Sequence, residues 1–207
     1  MELRRPLATV TPTLDGDVLA VLARQDLAFT TGQLHRILHR FSEEGIRKAL
    51  HRLNDQGVVD SDRVGNAFTY RLNRDHLAAA HVIGLSGLAE TLLKQLEASL
   101  ENWSVPPTYA AMFGSAARGT MTTHSDLDIL LIRPDSADEE LWDAQVSELV
   151  QKVRRWTGND TRALQFSVSE LDGRAKDEPV LRDVLVDGVT IAGTRAWLAK
   201  KIGTQGS

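Results

Sequence analysis

The chain has 207 residues, 42% of them hydrophobic and 25% charged, a composition that can bury a core and lacks the bias of a disordered chain. It contains no cysteine, which excludes disulfides, thiolate metal sites and cysteine nucleophiles and fits a reducing compartment, so the cytoplasm is the expected location. The net charge of −4 is uneven: residues 1–75 carry 11 Lys/Arg against 10 Asp/Glu and the remainder 13 against 18, so any nucleic-acid contact belongs to a local N-terminal patch.

The N-terminus lacks the apolar core of a secretion signal. The longest uncharged stretch, Leu77 to Ala89, falls short of the ~18 residues of a spanning helix, so no membrane segment is expected. Leu14, Val18, Val21 and Leu22 recur at helical spacing behind Asp15 and Asp17, which predicts a first helix closing near Asp26. Thr30 or Thr31 caps a second, carrying Leu34, Ile37 and Leu38. Ser42 caps a third, in which Ile46, Ala49, Leu50 and Leu53 form the buried stripe and Arg47, Lys48, His51 and Arg52 stay outside. Gln56-Gly57 stops it, and Val58-Val59, a turn at Val64-Gly65-Asn66 and Ala67 to Leu72 read as a hairpin.

Three short helices and a hairpin in this order, with the phrase RKALHRLNDQGVVDSDRVGNAFTYRL, resemble the winged helix-turn-helix family over Leu14 to Arg74. The resemblance implies a DNA-binding domain over 1–75, with Arg47, Lys48, His51 and Arg52 at the groove or phosphates and Arg63 on the wing. Winged helices also dock proteins; the cation cluster on one helix face favours DNA. If the DNA site is palindromic, its reader is a homodimer.

Residues 76–104 read as a connecting helical segment with Leu77, Val82, Leu85, Leu88, Leu92, Leu96 and Leu100 apolar, interrupted at Gly84 and Gly87, and Pro106-Pro107 marks a boundary. From residue 105 to 207 a second domain is expected. Thr108 to Phe113 is a strand ending at Gly114-Ser115, a tight turn into a helix whose amides can approach a phosphate. Ser125-Asp126-Leu127-Asp128 opens an apolar strand, and carboxylates two residues apart in a strand face one side. At the mouth of a strand covered on both faces they repel unless a cation lies between them. Helix Asp138 to Trp156, strand Arg162 to Val168, helix Pro179 to Val186 and strand Val189 to Ala192 complete the pattern.

The phrase FGSAARGTMTTHSDLDILLI resembles the signature of the DNA polymerase β-type nucleotidyltransferase superfamily, in particular its minimal nucleotidyltransferase branch, over roughly Leu85 to Gly193. The fold class expected is therefore α+β: a winged helix-turn-helix domain, then a small polymerase β-like nucleotidyltransferase domain. The resemblance implies a nucleoside triphosphate bound by Gly114 and Ser115, supported by Arg118 and Ser125. It also implies Mg2+ or Mn2+ held by the catalytic pair Asp126 and Asp128, the metals aligning an acceptor hydroxyl with the α-phosphate. Active members use a third carboxylate from a later strand. Here that strand holds none; the position that lost it lies among Leu164 to Ser167, with Gln165 the first choice, and Asp160, Glu170 or Asp172 are the neighbours that could substitute. Two functions follow: a nucleotidyltransferase acting on an unknown acceptor, or a DNA-binding regulator whose degenerate transferase domain senses nucleotide or binds a partner. Members of this branch often resemble toxin and antitoxin pairs.

Overall fold

The computed structural model describes residues 1–174 and 178–203, and of 172–174 the backbone alone. It divides into two units, Arg4–Ala89 and Glu90 onward, each with its own core.

In the first unit a 3-10 turn, Pro6–Thr9, leads into α1 (Leu14–Arg24), β1 (Phe29–Thr30), α2 (Thr31–Ile37), α3 (Glu43–Asp55), β2 (Val59–Val64), β3 (Ala67–Leu72) and α4 (Ala79–Ser86). Thr30 and Gln33 cap α2 reciprocally, the threonine hydroxyl accepting from the Gln33 amide and the Gln33 side chain from the Thr30 amide. Ser42 caps α3 through the Gly45 amide at 3.1 Å. Val18, Leu22, Leu34, Ile46, Leu50 and Val59 are fully buried and form one core. The hairpin pairs Val59–Val64 with Ala67–Leu72, and the two residues of β1 add a third antiparallel strand on β3. Asp17, 7% exposed, is paired with two cations: Arg5 donates to it at 2.9 and 2.8 Å and Arg40 at 2.7 Å, so its burial is compensated.

The connecting segment forms two helices, which break at Gly87. The helix beginning at Ala79 ends at Gly87, and Ala79 and Val82 enter the core of the first unit, where α4 packs on α1. The first unit therefore runs past residue 75 to Ala89.

The second unit comprises α5 (Leu88–Glu101), β4 (Tyr109–Phe113), α6 (Gly114–Arg118), β5 (Leu127–Arg133), α7 (Glu139–Thr157), β6 (Thr161–Ser167), α8 (Val168–Arg174), α9 (Pro179–Asp187), β7 (Val189–Ala192) and α10 (Arg195–Gly203). Its sheet has the order β6-β5-β4-β7, with β5 and β6 parallel and the other neighbours antiparallel. Alternation assigns the two faces. Tyr109, Ala111, Leu130, Ile132 and Phe166 share one face and a core with Leu171, Leu181, Val184 and Leu198 of α8, α9 and α10. The opposite face of the sheet meets α7, where the buried Trp142 donates to Gln165. Leu127 and Ile129 to Ile132 are all fully buried, as expected of a strand covered on both sides. Among the described residues no helix is long and apolar enough to cross a membrane.

Candidate functional site

The mouth of the second unit is built where β4 ends and β5 begins. Phe113 pairs with Asp128, so the residue after Phe113 comes to lie against the Asp128 side chain. That residue is Gly114, at φ +67°, and a Cβ there would meet Asp128 Oδ2 at 2.5 Å. A left-handed backbone and a contact closer than any real Cβ tolerates both demand glycine. The chain then turns through α6, and the Ser115 carbonyl accepts from the amides of Thr120 and Met121 at 2.9 and 3.1 Å, closing the loop that returns toward β5.

That loop is held from below. Ser125 Oγ accepts from the Thr122 amide at 3.0 Å and lies 3.1 Å from the Thr122 hydroxyl, which spaces the turn just before Asp126. Asn159, 1% exposed, donates from Nδ2 to the carbonyls of Thr122 and Ser125 at 3.2 and 2.9 Å, while its own amide donates to Thr157 Oγ1. Nothing local in Thr157-Gly158-Asn159 points to this role. The second duty of Asn159 depends on contacts 34 to 37 residues away. His124 stays exposed, contributing its amide to the same turn.

Asp126 precedes the strand and Asp128 lies within it, and their carboxylates lie close enough to repel. Partial burial raises the Asp128 carboxyl above the usual carboxylate range. Arg162 opposes the shift, the neighbouring Asp126 reinforces it, and Arg118 opposes it from α6. Arg118 also lies 3.9 Å from Asp187 at the end of α9. Gly114, Ser115, Arg118, Ser125, Asp126 and Asp128 thus gather around one corner of the sheet.

The missing carboxylate is not where it was expected. In the parallel register Gln165 pairs with Leu131, well along the strand from Asp128, and its side chain turns to the α7 face and accepts from Trp142 Nε1. It lines a pocket of about 270 Å3 with Arg133, Asp143 and Glu170, on the wrong face for the aspartates. The residue paired with Asp128 is Arg162, on the same face, and its guanidinium meets Asp126 Oδ2 at 2.6 Å. The register, which no single segment contains, hid this residue. Neither of the two described substitutes reaches the site. Asp160 turns to Arg154 at 3.3 Å, Glu170 accepts from the Ser167 amide beyond the far end of β6, and the side chain of Asp172 lies outside the described residues.

This donor set fits one divalent cation between Asp126 and Asp128, with phosphate oxygens completing its shell. It does not fit the paired arrangement, because Arg162 holds Asp126 and, among the described residues, no three His, Asp or Glu side chains converge.

On the first unit the expected DNA-facing residues keep to α3 and the hairpin, but their charges are matched. Arg47 donates to Glu44 at 2.9 and 2.5 Å, Lys48 lies 3.8 Å from the same carboxylate, and Arg52 grips Asp15 at 2.9 to 3.2 Å. Arg63 donates to the Gly65 carbonyl at the hairpin tip. His51 lines a groove of about 410 Å3 between the start of α2, the exposed face of α3 and Phe68 of β3.

Comparison with known proteins agrees with the second unit's motif. The family described as nucleotidyltransferase domain matches residues 92–202, more than half of the chain. No curated protein matches the sequence. A solved structure described as a toxin-antitoxin with AMP-PNP is 21% identical, over 56% of this chain and 84% of its own, with a TM-score of 0.39. Another, a mutant of the toxin-antitoxin MntA-HpeT, is 16% identical over 54% of this chain and 84% of its own, also with a TM-score of 0.39.

Proposed function

The chain belongs to the nucleotidyltransferase domain family, and from that membership we propose that its second unit binds a nucleoside triphosphate with a divalent cation, Mg2+ or Mn2+, at the corner formed by Gly114, Ser115, Asp126 and Asp128. The observation that carries this reading is the contact of Gly114 with Asp128: a bare Cα held in a left-handed conformation against a carboxylate leaves the backbone open to a phosphate. Asp126 and Asp128 would hold the cation, which neutralises phosphate charge when bound. Gly114 and Ser115 offer the backbone to the phosphates, Arg118 adds positive charge, and Ser125 and Asn159 keep the loop in place. Titration calorimetry of the full chain with each ribonucleoside triphosphate and Mg2+ tests it. Binding of at least one is expected, and the Asp126→Ala/Asp128→Ala variant should abolish it; a double variant that binds as well as the parent would show that the nucleotide sits elsewhere.

Between transfer and sensing, the geometry favours sensing. Transfer needs an acceptor hydroxyl activated by a carboxylate or a metal it holds, and beside Asp128 β6 offers an arginine, a permanent cation that cannot serve as a base.

For the first unit we propose a winged helix-turn-helix that reads DNA. The order of three helices and an antiparallel hairpin supports it, as does the exposure of Arg47, Lys48, His51, Arg52 and Arg63. Their pairing with Glu44 and Asp15 is no obstacle. Exposed ion pairs contribute about 0–1 kcal/mol, and phosphates compete for the same guanidiniums. A mobility shift on genomic fragments should weaken with salt, and Arg47→Ala/Arg52→Ala should reduce the log–log salt slope by about 2. An unchanged slope would remove this helix from the interface.

A further inference from the structure

Arg162 gives the nucleotide site a property that a family member with three carboxylates lacks. We infer that Arg162 is a resident cation standing in for a second divalent ion, so that the site binds a nucleoside triphosphate with one metal and keeps it rather than transferring it. The inference rests on the nucleotide-binding reading of the same site.

Three observations converge on it. The parallel register sets Arg162 beside Asp128 and on its face of the sheet, one strand over. The guanidinium meets Asp126 at 2.6 Å, although Asp126 is one of the two carboxylates a metal pair would share. And the Arg162 side chain is 77% exposed, so its guanidinium keeps donors free for a phosphate while it bonds a carboxylate that is 26% exposed.

A guanidinium can do part of what a metal ion does. It carries a fixed positive charge and five N–H donors in a rigid fork, so it can bond a carboxylate on one edge and a phosphate oxygen on another. It thereby lowers the repulsion between Asp126, Asp128 and an incoming triphosphate. It cannot coordinate an acceptor hydroxyl as a metal ion does, and it cannot take the proton; coordination is the task of the metal nearest the nucleophile. Charge neutralisation is preserved and nucleophile activation is lost. The same residue that makes triphosphate binding compatible with two aspartates removes the means of turning it over.

The experiment counts metal ions. The full chain is saturated in turn with the non-hydrolysable α,β-methylene triphosphates of adenosine, guanosine, cytidine and uridine, and bound Mn2+ is measured by electron paramagnetic resonance. The parent chain should hold one Mn2+ per bound nucleotide and Arg162→Asp two. Arg162→Ala should weaken nucleotide binding about tenfold or more, as expected for the loss of a charged hydrogen-bond donor, with Arg162→Lys recovering most of it. Circular dichroism melting of each variant identifies any that fails to fold, and the parent's metal count stands independently of all of them. Two Mn2+ ions in the parent, or unchanged affinity in a folded Arg162→Ala, would overturn the inference while leaving nucleotide binding intact. Failure of the parent to bind any of the four nucleotides would overturn the parent reading and this one with it.

Discussion

Gly114→Ala is expected to reduce nucleotide affinity by roughly 10- to 100-fold, the range seen when a residue supporting a metal ligand is lost, while the second unit still folds. Two costs combine. At φ +67° an L-residue is strained by about 1–2 kcal/mol, which lowers stability and leaves the site otherwise intact. The larger consequence is steric: the new methyl would lie 2.5 Å from Asp128 Oδ2, so the carboxylate must leave its place beside Asp126. Gly193 is the built-in control. It has φ +74°, but a Cβ there would strike the Thr108 carbonyl at 2.5 Å, across the β4–β7 edge, so Gly193→Ala should destabilise without a direct effect on the carboxylates. Calorimetric titration with Mg2+-nucleotide, beside thermal melting of both variants, separates the two effects. Undiminished binding by Gly114→Ala would mean that Asp128 is not a ligand.

Trp142→Ala should destabilise the second unit by about 3–5 kcal/mol, as large-to-small changes of buried aromatics do. The indole is 1% exposed, packs edge-on against Trp103 with ring centroids 5.3 Å apart, and donates Nε1 to Gln165 on β6. Removing it therefore opens a cavity, ends an aromatic pair and leaves the Gln165 amide without its donor. Trp142→Phe, which refills most of the cavity but restores no donor, should recover the larger share. Urea denaturation followed by circular dichroism reads both; a loss below about 1 kcal/mol would mean that α7 is not anchored through this residue.

Local signals in the sequence were enough for most of the elements. Ser42 and Asp138 stand as N-caps where their residue types place them, and the return strand of the hairpin runs from Ala67 to Leu72 as expected. The Gly-Ser turn and the two aspartates were legible for the same reason: each lies in one short stretch whose geometry follows from strand alternation. What stayed hidden depends on distant partners. Gln165 and Arg162 sit on one strand with opposite parity, and only the pairing of β6 with β5 decides which faces Asp128. Likewise the pairing of Arg52 on α3 with Asp15 stayed hidden because the two lie 37 residues apart. Ala79 and Val82 showed their apolar pattern, yet periodicity does not say which core receives them. The two-residue β1 is too short to produce a pattern at all.

The central claim is a family member that holds a nucleoside triphosphate at Asp126 and Asp128 without consuming it. Its most direct test follows two quantities in one incubation of the full chain with each α-labelled ribonucleoside triphosphate and Mg2+: nucleotide retained by the protein, and pyrophosphate released. We expect retention of at least one nucleotide, lost in Asp126→Ala/Asp128→Ala, with no pyrophosphate beyond the background of that variant. Sustained pyrophosphate release that disappears in the double variant would contradict the account and make the chain a working transferase despite Arg162.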